Sequence, residues 1–279
     1  MRWTRPLIPP SIEFMYEQDR HSIHLDIQTQ FGATAAAYSI SAGHGDASAL
    51  ARLVALSKPR SIDAVLDIAT GAGHTAMAFA PHVARVTAYD LTEAMLRETA
   101  RNAAQRGLQN ITVQRGPAEE LPFPDALFDL VMVRLASHHF ADNPRAIREM
   151  ARVTRPGGRV VIVDNYAPED EALDGQLQHV EKLRDSSHVR SCKLSVWRRD
   201  LQSASLKILH ETTDRYSESE RGMNFDDWVQ RSKTPDDRVA QLRKIFTHPV
   251  AAFRELLNIT QDGQEIWFTL PQVTLVAER

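Results

Sequence analysis

The sequence predicts an α/β fold in which helices cover both faces of a mostly parallel sheet. Short apolar runs alternate with helix-length segments between residues 64 and 164, and this alternation is typical of right-handed βαβ units. A tight glycine turn follows the first of these runs, and open parallel sheets bind ligands at such turns. With 279 residues, 43% of them hydrophobic and 25% charged, the composition is that of an ordinary globular protein.

Five strands are predicted by apolar, β-branched runs bounded by turn residues. They are AVLDI (64–68), RVTAYD (85–90), ITVQ (111–114), LFDLVMV (127–133) and RVVIVD (159–164). The helices between them are expected from the glycine turn through Phe79, from a cap at Thr92 to near Gly107, and from a cap at Asn143 followed by Pro144.

The two ends of the chain follow different patterns. Residues 1–22 show no periodicity and are predicted to form a flexible extension, ahead of a single domain over 23–279. The segment from Leu25 to Ala55 is predicted to be helical, with Asp46 as an N-cap.

In the last third, an amphipathic helix is predicted over 171–184 and another from Ser195. Two strands, at 206–216 and 266–278, are predicted to pair antiparallel, with a bulge at Pro271. A polar, partly helical insertion over 217–257 separates them.

Charge and composition exclude several classes of protein. The net charge of −3 argues against a nucleic-acid substrate, because phosphate backbones require a basic surface. Cys192 is the single cysteine, which rules out an intramolecular disulfide and a cysteine zinc cluster. Neither a membrane-spanning stretch nor a signal peptide is predicted, so we expect a cytoplasmic enzyme.

The strongest local signal is VLDIATGAGHTA (65–76), in which a strand leads through Gly71 and Gly73 into a helix. Glycines are needed where the backbone bends sharply and approaches a ligand. The string also satisfies the dinucleotide pattern G-x-G-x-x-A, so the turn alone does not identify its ligand.

Two carboxylates narrow the choice of ligand. Asp67 precedes the turn, where it would repel a pyrophosphate but suits the cationic amino group of a methionine; the alternative is an aspartate that caps the following helix. Asp90 ends the second strand and can accept both hydroxyls of a ribose. Leu91 and Met95 then either contact an adenine ring or pack in the core.

Four motifs in this order resemble the class I methyltransferases related to the ubiquinone/menaquinone-biosynthesis C-methyltransferases. They are VLDIATGAG, VTAYDLTEAML, GPAEELPFPDALFDLVMVRLASHHF and RVTRPGGRVVIVD. The segments QFGATAAAY, HHFADNP, DNYAPED, KLRDSSHVRS and SVWRRDL are similar to the YcgJ-type bacterial branch of that group. The resemblance implies a Rossmann-like, seven-stranded sheet with an antiparallel last strand, and methyl transfer from S-adenosylmethionine (SAM) to carbon or oxygen of a small molecule.

The resemblance also implies roles for individual residues. The methionine end of SAM would be bound by Asp67, Ala69, Gly71 and Gly73, and its ribose by Asp90.

The adenine would face the backbone amide of Ala118. The family has an aspartate before this alanine, whereas this chain has Pro117; either Glu119 replaces that contact or the contact is absent.

Arg134 and Leu135 would lie beside the sulfonium. Tyr38 and His44 would close the cofactor pocket.

His138 and His139 follow the fourth strand, a suitable place for a general base. Alternatively, one packs against the next helix and the other shapes the pocket. Neighbouring histidines on one loop rarely bind one ion without a third ligand, and none is evident from the spacing, so no metal site is predicted.

Three aromatic residues of the 217–257 insertion, Phe225, Trp228 and Phe246, form either a lid over the acceptor or a small core of their own. Two other functions remain open at this stage. One is an NAD(P)-dependent oxidoreductase, favoured by the glycine string alone; the other is a SAM-binding protein that has lost catalysis. The sequence predicts no oligomeric state.

Overall fold

The computed structural model describes residues 10–39 and 43–279, with side chains from residue 19 onward. The helices are α1 (Pro10–Ser39), α2 (Ala47–Ser57), α3 (His74–Phe79), α4 (Glu93–Gln105), α5 (Asn143–Val153), α6 (Glu171–Arg184), α7 (Leu194–Ser203), α8 (Phe225–Arg231), α9 (Asp236–Thr247) and α10 (Ala251–Leu257). The strands are β1 (Ala64–Ile68), β2 (Arg85–Asp90), β3 (Ile111–Arg115), β4 (Phe128–Arg134), β5 (Thr154–Asn165), β6 (Lys207–Tyr216), β7 (Met223–Asn224), β8 (Thr260–Asp262), β9 (Glu265–Phe268) and β10 (Leu270–Glu278).

Seven strands form the main sheet, in the order β3-β2-β1-β4-β5-β10-β6. Strands β1 to β5 pair in parallel, and β10, the last strand in the chain, pairs antiparallel with both β5 and β6. The predicted fold class is therefore confirmed. The strand order reverses between β1 and β4, and the crevice at such a reversal is where open α/β sheets bind their ligands.

The burial of β1 explains why helices cover both faces. All five of its residues are buried, and successive side chains of a strand point to opposite faces. Leu66 and Ile68 pack with α5 and α7 on one face, whereas Val65 packs with α2 and α3 on the other.

Helix α1 begins at Pro10, within the segment 1–22 that is predicted to be a flexible extension. Residues 1–9 of the predicted extension lie outside the described residues. The helical segment predicted over 25–55 contains the end of α1 and most of α2. Asp46 caps α2 as predicted, since its side chain accepts hydrogen bonds from the backbone amides of Ser48 and Ala49.

Two other predicted caps differ in detail. Thr92 is the N-cap of α4, but its side chain makes no capping hydrogen bond. The cap of α5 is Asp142 rather than Asn143, because the Asp142 carboxylate accepts the Arg145 backbone amide at 3.0 Å. Asn143 and Pro144 form the first turn.

The strand predicted over 266–278 is two strands. Residues up to Phe268 belong to β9 in a separate three-stranded sheet, β7-β9-β8, and β10 starts at Leu270. The break falls at Thr269, whose backbone amide donates to the Leu257 carbonyl at 2.8 Å instead of joining a ladder. The bulge lies at Val276/Ala277 rather than at Pro271. Pro271 needs no bulge because it precedes the β5 ladder, which starts at Gln272.

The insertion, together with the small sheet, forms a unit that we call the cap (residues 223–268). Phe225, Trp228 and Phe246 are buried in a cluster that also includes Leu177 and Val180 of α6. The three aromatic residues therefore pack in a core shared with α6, and Trp228 also lines a cavity described below.

Within the described residues, no helix is both long and apolar enough to cross a bilayer.

Candidate active site

A cleft of about 930 Å³, which we call the main cleft, opens at the carboxyl ends of β1, β2 and β4. Side chains of α1 cover it, among them Ile27 and Phe31. Nearly all the residues predicted to bind the cofactor line it, namely Tyr38, His44, Asp67, Ala69, Gly71, Asp90, Leu91, Met95, Ala118, Glu119, Arg134 and Leu135. Gly73 does not.

The surroundings of the two glycines explain why Gly71 lines the cleft and Gly73 does not. A Cβ at Gly71, where φ is +57°, would meet nothing within 4 Å, so the turn leaves open space beside the cleft. A Cβ at Gly73, where φ is +85°, would lie 2.8 Å from the Thr99 side chain. Gly71 therefore keeps ligand space free, whereas Gly73 permits the close approach of α4.

Asp67 caps a helix and also faces the cleft. Its Oδ2 accepts hydrogen bonds from Thr70 Oγ1 at 2.6 Å and from the Ala76 amide of α3 at 3.0 Å. Oδ1 has no such bond among the described residues and is left for a ligand. Burial raises the pKa of this carboxyl to about 7, so a cation bound beside it would stabilise the ionised form.

Asp90 braces the glycine turn from the neighbouring strand. Its Oδ2 accepts the Gly71 amide at 2.9 Å, and its Oδ1 accepts the Thr92 amide at 2.8 Å. A carboxylate has about four acceptor sites, so both oxygens can still accept from hydroxyls. Burial raises the pKa of Asp90 to about 6.

Both carboxylate oxygens of Glu119 make contacts within the protein. One carboxylate oxygen accepts the Ala141 amide at 2.8 Å, and the other lies 3.3 Å from His24 Nε2. Burial alone would raise the pKa of Glu119, but these bonds hold it below the usual value. The carboxylate thus ties α1 to the segment before α5, which counts against its use as an adenine contact.

Arg134 ties the end of β4 to the segment that precedes α2. Its guanidinium donates to the His44 carbonyl at 3.0 Å and to the Gly43 carbonyl at 3.3 Å. The Tyr38 ring packs against His44 with centroids 5.0 Å apart. Burial, reinforced by the Arg134 charge, holds the pKa of His44 well below its usual value, so its ring is neutral at pH 7. Leu135 turns the chain away from β4 with φ of +54°.

A second cavity of about 450 Å³, the side chamber, adjoins the main cleft. Both are lined by Phe31, Tyr38, His44, Leu135 and His139. The rest of the side chamber is lined by His138, Asn165, Arg184, Tyr216, Met223, Trp228, Arg231 and Leu270.

His138 forms a buried dyad with Asp164 at the end of β5. Its Nδ1 lies 2.6 Å from Asp164 Oδ1, and its backbone amide donates to Oδ2 at 3.1 Å. Ser137 Oγ also donates to Oδ2. A carboxylate can only accept, so Nδ1 carries the proton and Nε2 is the basic nitrogen of the neutral ring. Burial opposes protonation, but the Asp164 carboxylate raises the pKa of His138 above its usual value.

His139 has a weaker partner than His138. Its Nδ1 donates to the Ser187 carbonyl at 3.1 Å, and the edge of its ring packs against Phe31 at 4.9 Å. Burial and the neighbouring His138 lower the pKa of His139 to about 4. Its ring, which lines both cavities, is therefore neutral at pH 7.

Several residues of the site were not predicted from the sequence. Asp164 and Asn165 had a usable signal, because polar residues at the carboxyl end of a parallel strand face the ligand crevice. Arg184 lies in the segment KLRDSSHVRS, which was noted only for its resemblance, and Tyr216 had no signal; the place of both in the side chamber depends on tertiary packing. Among the described residues, no group of three or more histidine, cysteine, aspartate or glutamate side chains is arranged to hold a metal ion.

Comparison with known proteins identifies the family. Residues 66–162 match the model of the methyltransferase domain family. The chain is 36% identical to the uncharacterized methyltransferase YcgJ of Bacillus subtilis, over 89% of this chain and 97% of that protein. The chain belongs to this methyltransferase family.

Solved structures agree with this assignment. The crystal structure of YcgJ superimposes with a TM-score of 0.77 over 83% of this chain and 98% of that one. A putative methyltransferase from Bacillus halodurans, 32% identical, gives 0.76 over the same shares.

A UbiE ubiquinone/menaquinone C-methyltransferase from Bdellovibrio bacteriovorus is 36% identical over 40% of this chain and 48% of that protein. The resemblance to both branches is confirmed. The protein is a methyltransferase, which decides against the oxidoreductase alternative.

Proposed function

We propose that the main cleft binds SAM, that the side chamber binds a small-molecule acceptor, and that His138 removes a proton from an acceptor that carries one. The observation that carries this proposal is the junction of the two cavities. One holds the carboxylates and the glycine turn, the other presents a carboxylate-backed histidine, and five residues are common to both.

The groups in the main cleft fit SAM. Asp67 offers an unused oxygen for the amino group, and the open space at Gly71 lets the ligand approach the backbone. Asp90 accepts ribose hydroxyls, and Leu91 and Met95 offer apolar contact to adenine. Ala118 lies close by and can present its backbone amide. A pyrophosphate would meet two carboxylates here instead.

When bound, SAM would supply a methyl group on a positively charged sulfur. An acceptor atom bonds to the methyl carbon, and the sulfur leaves. The protein's task is then to position the acceptor and to exclude water. Leu135 and His139, which line both cavities, flank the junction at which the methyl donor and the acceptor would meet. Met223, Trp228 and Arg231 of the cap close the side chamber, so the cap acts as its lid.

His138 is the proposed base that removes the acceptor's proton. Its Nε2 accepts the proton from a hydroxyl or amine of the acceptor, while Asp164 holds Nδ1–H and stabilises the imidazolium. His139 lacks a carboxylate partner and has a lowered pKa, so we assign it a shaping role. A base of this kind contributes about 10²–10⁴-fold to a rate.

Incorporation of tritium from methyl-labelled SAM into extractable products tests this function. The acceptor library should include phenols, carboxylic acids, amines and quinols. We expect at least one product, and we expect His138→Gln to lower kcat by about a hundredfold or more while SAM still binds.

The matched control is His248→Gln, a histidine that lies outside both cavities and should have no effect. SAM binding without turnover over the whole library would favour a protein that has lost catalysis. The proposal also includes a cytoplasmic location and an acceptor other than nucleic acid, in keeping with the net charge of −3.

A further inference from the structure

The side chamber is surrounded by buried polar atoms without hydrogen-bond partners. Two belong to residues that line it, Arg184 Nε and Asn165 Oδ1. Others on neighbouring side chains are Glu181 Oε1, Asp185 Oδ2 and His188 Nδ1. Folded proteins leave few such atoms unsatisfied, so the wall of the chamber is unusually polar for a buried region.

The charges that line the chamber are both positive. Arg184 and Arg231 line it, and no aspartate or glutamate does. Arg231 is paired with Glu218. Arg184 is 9% exposed, and its nearest carboxylate oxygen, on Glu181, lies 3.5 Å away. Burial raises the pKa of Glu181, which weakens it as a counter-charge, whereas the Arg184 charge helps to lower the pKa of Asp185, a second carboxyl near the guanidinium.

Arg184 is also held in a fixed orientation. Its Nη1 donates to Ser232 Oγ at 2.9 Å, and its guanidinium lies 5.1 Å from the centroid of the Trp228 ring. A planar guanidinium that is already oriented loses little entropy when it binds a carboxylate through two parallel hydrogen bonds.

The apolar side chains of the side chamber restrict the chemistry of the rest of the ligand. Phe31, Met223, Trp228 and Leu270 provide an apolar surface, which suits the apolar part of a small ligand. His138 lines the same space, so an acceptor seated here would also meet the proposed base.

We propose that the methyl acceptor is a small, largely apolar molecule that carries a carboxylate, and that Arg184 binds this carboxylate inside the side chamber. The inference rests on the proposed function, because it takes the side chamber as the acceptor site.

The test compares two probes of equal shape, 4-fluorobenzoate and 4-fluorobenzamide, by fluorine NMR titration of the S-adenosylhomocysteine-loaded protein. We expect the carboxylate to bind about tenfold tighter than the amide or better. Arg184→Gln should abolish this preference. Arg184→Lys, which keeps the charge without the planar fork, should retain part of it. The matched control is Arg243→Gln, because Arg243 stacks on Phe225 of the cap but does not line the chamber.

Equal affinity for the two probes, no binding of either, or an unchanged preference in folded Arg184→Gln protein would each overturn the inference. Repeating the titrations without the nucleoside separates the two claims. Failure of S-adenosylhomocysteine to bind contradicts the proposed function, whereas the carboxylate preference is measured in either state.

Discussion

At the scale of single residues, the pairing of His138 with Asp164 determines which histidine is the base. The two histidines are adjacent in sequence, but one is hydrogen-bonded to a carboxylate and the other to a carbonyl. The pKa of His138 is accordingly raised, and that of His139 falls to about 4. The carboxylate-backed ring is therefore the one that accepts a second proton more readily.

We predict that Asp164→Asn lowers the pKa of His138, because the amide no longer stabilises the imidazolium. The chemical shifts of the imidazole, followed by NMR over a pH titration, measure this without an acceptor. In the wild type the ring should titrate above 6.5, the usual value. Ser187→Ala, which removes the hydroxyl that lies 3.2 Å from His139 Nδ1, is the control and should leave the pKa of His138 unchanged. A His138 pKa that is the same in Asp164→Asn and the wild type would contradict the dyad.

Asp67 makes cofactor binding dependent on pH. Its pKa is about 7 in the free protein, and a bound amino group requires the ionised form, so binding must release a proton when the pH is below 7. We predict that the affinity for S-adenosylhomocysteine falls roughly tenfold from pH 7.5 to pH 6, with Asp90 adding to the loss below about pH 6.

Calorimetric titration measures this dependence. Asp67→Asn should bind more weakly at pH 7.5 and show a flatter profile. A wild-type affinity that stays constant over this range would show that Asp67 does not contact the amino group.

The sequence predicted Asp67 and Asp90 because both lie at the ends of recognisable strands beside a glycine turn. It did not predict the dyad partner Asp164, whose role follows from a contact with a residue 26 positions away. The replacement of the family's aspartate by Pro117 left open whether Glu119 contacts adenine. The answer depends on two tertiary contacts, with His24 and Ala141, that no local pattern indicates.

At the scale of elements, prediction succeeded where a segment carries its own periodicity. Strands β1 and β2 and helix α6 have the predicted bounds, because buried runs between turn residues and a well-formed apolar stripe are local signals. Helix α1 was missed over residues 10–22 because it lacks such a stripe; it packs against α4 and α8. The alternation over 266–278 continues through Thr269, so it concealed the break between β9 and β10.

The buried cluster of the cap should contribute strongly to stability. We predict that Phe246→Ala, at a fully buried site, lowers the free energy of unfolding by about 3–5 kcal/mol. Val250→Ala, nearby but 60% exposed, should change it by less than about 0.5 kcal/mol. Urea unfolding followed by tryptophan fluorescence compares them. Similar losses in the two variants would show that the cap lacks a core of its own.

At the scale of the whole molecule, the sheet topology creates the site. The reversal of strand order between β1 and β4 opens a crevice, and α1 and the cap cover it from two directions. The seven strands and the antiparallel last strand were predicted from the resemblance to class I methyltransferases. The division into a main cleft and a side chamber was not, because it depends on side chains from segments far apart in the sequence.

The carboxylates and the glycine turn are proposed to hold an amino-acid nucleoside rather than a pyrophosphate. Calorimetric titration of the full chain with S-adenosylhomocysteine and, separately, with NADPH distinguishes the two ligands. We predict binding of the nucleoside, at least tenfold weaker binding by Asp90→Ala, unchanged binding by Asp125→Ala at an exposed carboxylate, and no binding of NADPH. Tight binding of NADPH with no response to S-adenosylhomocysteine would contradict the account.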